Sequence, residues 1–241
     1  VGGDGHAAFS KITDYGWGIA RYHRLYPLTD TLNSGPCRSN KKGSEKTSLR
    51  LARLTPEIVL RGYASGIFPM GDDFGNIRWY SSDPRCIFDF DHFHIPKRLA
   101  RTVRQQPFEI KFNTAWSDVV SNCAHTRETT WISKEIYDAY TALHHAGFAH
   151  TVEAWKDGEL VGGLYGVTLG GAFFGESMFH RATDASKVCL VHLIQRLRER
   201  GFILLDSQWM TSHLATLGAI DISREEYMQR LEKALQLQCS F

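Results

Sequence analysis

Apolar positions along this chain change period repeatedly, and each change marks an element. Thr55-Pro56-Glu57 sets a capping hydroxyl, a proline and an acid before an apolar-periodic run. That predicts a helix to about Ser65, with Gly66 as its stop. Phe68-Pro69-Met70-Gly71 is expected to turn the chain, and Trp79–Arg85 to lead into a strand over Cys86–Phe90. Pro96–Arg104 has helical spacing, with Leu99 and Val103 on an apolar stripe. Lys97, Arg101 and Arg104 share a basic face there, with Arg98 beside them and no acid interrupting. A strand over Phe108–Phe112 precedes helices over about Ala115–Ala124 and Lys134–Ala146. Strands follow at His150–Lys156, Leu160–Leu169 and Ala172–Glu176, with Asp157-Gly158 a strong hairpin signal. A long helix over Ala185–Arg200, a strand over Phe202–Ser207 and a helix over Glu225–Leu235 complete a mixed α/β layer pattern.

Residues 1–50 have no sustained period. Ser34-Gly35-Pro36 and Ser39–Ser44 predict loop or disorder there, and the chain is long enough for one large domain or two unequal ones. The 241 residues are 43% hydrophobic and 12% aromatic, ample for a core, and no apolar stretch is long enough to span a membrane. Net charge is only +2, but residues 1–64 hold ten basic and five acidic residues, leaving 18 basic and 21 acidic for the rest. A basic front on an acidic body lets nucleic acid touch part of the surface. Five scattered cysteines without a CxxC pair signal neither a disulfide framework nor a metal site and fit a reducing, cytoplasmic setting.

Two apolar strand-like runs each deliver a carboxylate where burial is expected. Phe173-Phe174 leads to Glu176, and Phe202–Leu205 leads to Asp206 with Gln208 two residues on. Charged groups are rarely buried without partners, so the two acids and Gln208 mark a candidate site and not surface decoration.

From about Leu54 to Leu235 the chain resembles the leucyl/phenylalanyl-tRNA–protein transferases. The blocks that carry the resemblance include GYASGIFPM (62–70), SDPR (82–85), FHIPKRLARTVR (93–104), TWI (130–132), GELVGGLYGV (158–167), GESMF (175–179), ASK (185–187) and LLDSQ (204–208). The resemblance implies a small N-terminal domain over 51–92 and a GNAT-like acyltransferase domain over 93–241, without metal or cofactor. It implies transfer of Leu or Phe, and Met less readily, from the 3′ end of an aminoacyl-tRNA to proteins that begin with Arg or Lys. Such transfer creates an N-degron. The enzyme is expected to be a cytoplasmic monomer with no membrane partner.

By similarity, Asp206 polarises Gln208, whose carbonyl accepts a hydrogen bond from the attacking amine, and Glu176 binds the donor's α-ammonium. Leu164, Phe173, Met178, Leu190, Leu193, Leu197 and Leu205 are expected to line an apolar side-chain pocket. Trp131, then Trp79 and Tyr80, are the expected platform for the terminal adenosine. Many relatives carry Trp where this chain has Met70, so apolar contact replaces ring stacking at that point. Lys97, Arg98, Arg101 and Arg104 are expected to hold acceptor-stem phosphates. His180-Arg181 and Asp184 also depart from the family's usual Ser-Arg and Asn. An acetyl-CoA-dependent acetyltransferase would need a Gly-rich pyrophosphate loop, and Arg181–Ala185 does not supply one. A bare RNA-binding module could dispense with Glu176, Asp206 and Gln208, which are all present.

Overall fold

The computed structural model describes residues 53–72, 74–125 and 130–241, so the expectation for residues 1–50 lies outside them. Helix α1 (Pro56–Ala64) starts where its signals predict: the Thr55 hydroxyl accepts from the Ile58 N–H, and Pro56 occupies the first turn. The next segment departs from expectation. Phe68–Gly71 is a strand, β1, paired antiparallel with β2 (Ile77–Tyr80) in a separate two-stranded sheet. Pro69 is tolerated because a two-stranded sheet consists of edges. Just beyond the proline, the Gly71 N–H donates outward to the Trp131 carbonyl at 3.0 Å.

The remaining elements are β3 (Arg85–Phe88), α2 (Lys97–Gln105), β4 (Glu109–Phe112), α3 (Trp116–His125), α4 (Lys134–His145) and β5 (Ala149–Lys156). They continue with β6 (Glu159–Leu169), β7 (Ala172–His180), α5 (Ala185–Glu199), β8 (Leu204–Gln208), α6 (Ser212–Ala215), β9 (Ala219–Ile222) and α7 (Arg224–Leu235). One sheet runs in the order β4-β5-β6-β7-β8-β3-β9. Asp157 and Gly158 join β5 to β6 with φ of 52° and 81°, the two positive values a tight hairpin turn requires. After β7 the chain crosses through α5 and returns as β8, parallel to β7.

Alternation along each strand splits the core in two. Phe174 packs with Val59, Tyr63, Tyr140, Tyr165 and Tyr227 on the face covered by α1, α3, α4 and α7. Its neighbour Phe173 packs with Leu99, Leu190, Leu197 and Leu205 on the face covered by α2 and α5. Residues Arg53–Phe241 form one compact unit. The mixed α/β class is the one expected, and no described helix is long and apolar enough to cross a membrane.

Candidate active site

Glu176 owes its position to an irregularity in β7. Opposite it on β6, Tyr165 pairs with Ser177 and Gly166 with Gly175, so Glu176 is the extra residue of a bulge. A bulge re-aims the side chain it carries, and this one turns toward two tyrosines. The Tyr63 hydroxyl donates to Glu176 Oε1 at 2.5 Å and the Tyr140 hydroxyl to Oε2 at 3.3 Å, with the two phenols 2.5 Å apart. Tyr63 is held in turn by stacking on Phe174 at 4.4 Å. Burial, and then the Glu176 charge, push both phenols well above the ordinary range, so they remain protonated donors. Desolvation raises the Glu176 carboxyl to about 8; the Tyr63 hydrogen bond opposes this and the Asp206 charge reinforces it. At neutral pH the carboxyl is mostly neutral and is poised to ionise when a cation approaches.

Asp206 is fully buried and fully engaged. Arg85, also without exposure, donates to it through Nε at 2.9 Å and Nη2 at 2.6 Å. The Tyr227 hydroxyl donates at 2.8 Å and the Gln208 main-chain N–H at 2.9 Å. The Arg85 guanidinium is also sandwiched between the Phe68 and Tyr227 rings, 4.8 and 4.5 Å from their centroids. Asp206 therefore meets Gln208 through the backbone. The Gln208 side-chain amide makes no bond to Asp206, and its Nε2 is buried without a partner. Gln208 itself adopts a left-handed backbone, φ 57°, with its carbonyl accepting from the Ser82 hydroxyl at 2.8 Å. A non-glycine residue in that region is costly unless its surroundings fix it.

The strands carrying these groups separate at the site. β7 and β8 pair only from Ala172/Leu204 to Phe174/Asp206, although β7 continues to His180 and β8 to Gln208. Beyond Phe174 no ladder seals the sheet between them. Glu176 and Asp206 both face the α1/α7 side, while Leu164, Phe173, Leu190, Leu193, Leu197 and Leu205 are buried together on the α5 side, with Met178 packed at their edge. The structure thus places the polar and apolar parts of the expected site on opposite faces of the opening.

Met70, Trp79 and Tyr80 come together on the β1–β2 hairpin, and Trp131 lies against Gly71. The Trp79 ring is wedged over Gly62 of α1, where an added Cβ would come within 2.0 Å of it. Lys97, Arg98, Arg101 and Arg104 are all exposed on α2. Tyr63, Tyr140, Arg85, Tyr227 and Trp209 are site residues that the sequence reading missed. Arg85 had a readable signal, because a cation directly before Cys86-Ile87 poses the same burial problem as the two acids. Trp209 follows Gln208, is 43% exposed, and meets Phe68 edge-on at 4.8 Å.

A caged carboxyl and an orphaned amide thus lie beside a gap between parallel strands. Comparison with known proteins specifies the class of protein. Residues 87–232 match the leucyl/phenylalanyl-tRNA protein transferase family and residues 52–83 match that family's N-terminal domain. The leucyl/phenylalanyl-tRNA–protein transferase of Gloeobacter violaceus is 53% identical over 192 residues, 79% of this chain and 99% of the relative. That of Herpetosiphon aurantiacus is 55% identical over 190 residues, 78% of this chain and 98% of the relative. Among solved structures, a GCN5-related N-acetyltransferase-like protein from Streptococcus suis overlaps at a TM-score of only 0.35 and 14% identity, covering 69% of this chain and 64% of that one. The assignment rests on the sequence family. The protein is an aminoacyltransferase, and the chain belongs to the leucyl/phenylalanyl-tRNA protein transferase family.

Proposed function

We propose that the protein moves leucine or phenylalanine, and methionine less readily, from the 3′ end of an aminoacyl-tRNA to acceptor proteins beginning with Arg or Lys, marking them as N-degron substrates. It acts as a monomer in the cytoplasm. The ester is already activated, so orientation and proton management suffice and the chemistry calls for no cofactor. Glu176 in its tyrosine cage is the observation that carries this reading, because a carboxyl raised to about 8 gains most from a cationic partner. The donor's α-ammonium ionises it and completes the pair.

The donor side chain enters between β7 and β8 into the cluster of Leu164, Phe173, Leu190, Leu193, Leu197 and Leu205. Met178, with its flexible thioether and residual exposure, gives way. Each methylene there discriminates by only about 1–3 kcal/mol, in keeping with several bulky apolar donors being used. Met70 and Trp131 offer the adenosine its apolar surface, with Trp79 and Tyr80 behind them, and the α2 cations meet the acceptor stem. Asp206 acts as a positioning residue: its bond to the Gln208 N–H fixes that residue's backbone, leaving the side-chain amide to accept from the incoming amine.

The test is transfer from labelled leucyl-tRNA to an Arg-started peptide, run beside the same donor with its α-amine acetylated. Wild type is expected to use the first and reject the second, and Glu176→Gln to slow the first sharply. Equal use of the acetylated donor would remove the role given to Glu176.

A further inference from the structure

A polar cavity of roughly 480 Å³ lies where β7 runs into α5. Arg98, Arg181 and Lys187 line it against a single acid, Asp184, so it is net cationic. Asp184 is committed to two of those cations, Arg98 at 3.0 Å and Lys187 at 3.4 Å. It gives the first turn of α5 no side-chain cap; the Ala185 N–H donates to the Ala182 carbonyl, which leaves the Ser186 and Lys187 N–H groups for an external acceptor.

One further observation indicates that the cavity is built for a ligand. Ser186, only 3% exposed, and His213 both line it, and His213 Nε2 is buried without a partner. An unsatisfied imidazole nitrogen, a helix start and excess positive charge adjoin one space, and their common complement is a tetrahedral oxyanion.

Arg98 belongs both to this cavity and to the α2 basic face, so the two are continuous. The cavity's His180 is four residues along β7 from Glu176, about 13 Å at the usual strand rise. That is the scale of a terminal nucleotide. We infer that this cavity holds a backbone phosphodiester of the donor RNA near its 3′ end, anchoring the strand whose amino acid Glu176 receives. The inference rests on the donor reading given above. It adds a phosphate contact between the α2 face and the reaction site, carried by Arg181, Lys187, Ser186 and His213.

The test measures aminoacyl-tRNA affinity across a salt series for wild type, Arg181→Gln with Lys187→Gln, and Asp184→Asn, with Arg101→Ala on α2 as the reference. Transfer from phenylalanyl-adenosine, a donor without phosphates, is measured in parallel. The double variant should bind RNA several-fold more weakly, with a log–log salt slope shallower by about 0.7 for one single-strand phosphate. Its kinetics with the phosphate-free donor should be unchanged. Asp184→Asn keeps a residue that tolerates the left-handed φ of 65° but frees Arg98 and Lys187, so it should tighten RNA binding, which a merely structural role would not do.

Unchanged RNA affinity and slope in both variants would overturn the inference. So would equal damage with the phosphate-free donor, or a raised KM for an acidic acceptor peptide with RNA binding intact. Stabilisation of wild type by inorganic phosphate, with no change in RNA affinity across the variants, would mark a free-anion site instead. If wild type transferred from neither donor, the donor reading itself would fall, while the binding series would still decide the phosphate contact.

Discussion

Arg85 and Asp206 are each wholly buried, and the charge of one is tolerable only because of the other. Arg85→Met strands a carboxylate in the core, at an expected cost of about 3–5 kcal/mol, whereas pairing it with Asp206→Leu should recover much of the loss. Urea denaturation of both variants checks this, and an unshifted midpoint for Arg85→Met would mean that water reaches the carboxylate. Glu176 behaves in the opposite way, because its folded-state carboxyl is raised from 4.5 to about 8. Below the lower value both folded and unfolded chains hold this proton, and its contribution to stability is complete. Between the two values the unfolded chain ionises while the native chain keeps the proton, so native stability falls as pH rises. Wild type should therefore lose stability relative to Glu176→Gln across that window. Melting curves that stay parallel would refute the raised carboxyl.

At the level of elements, the helices other than the four-residue α6 were legible because period and caps are local, as with Thr55 before α1. β1, β2 and β9 went unread: Pro69 argues against a strand in β1, and β9 forms because β3 supplies its partner from far back in the chain. The bulge that aims Glu176 was invisible for a similar reason: it is a mismatch of register between two strands and not a property of either. Glu153 is another case. It sits inside an apolar strand, fully buried, and accepts from the N–H groups of Thr114 at 2.8 Å and Ala115 at 2.9 Å, at the entrance to α3. Burial pushes its carboxyl up, but bonds from Thr114, Thr151 and Ala115 outweigh that and hold it below the ordinary range. Glu153→Gln trades the charge for an amide whose N–H₂ faces other donors, at an expected cost of about 1–3 kcal/mol. Amide exchange should quicken first at the start of α3, and unchanged protection there would deny Glu153 this role.

Across the whole molecule, the amino-acid order determined the elements with strong period, the family, and three polar residues of the candidate site: Glu176, Asp206 and Gln208. It did so because apolar spacing, caps and motif blocks are written within a few residues of each other. Tertiary structure alone decided who partners those residues: Tyr63 from α1 and Tyr140 from α4 around Glu176, and Arg85 from β3 and Tyr227 from α7 around Asp206. It also decided that the carboxylates and the aliphatic cluster lie on opposite faces of the sheet, joined where β7 and β8 part. A buried charge fixes the kind of partner it must have, but only the packing of distant segments determines which residue arrives.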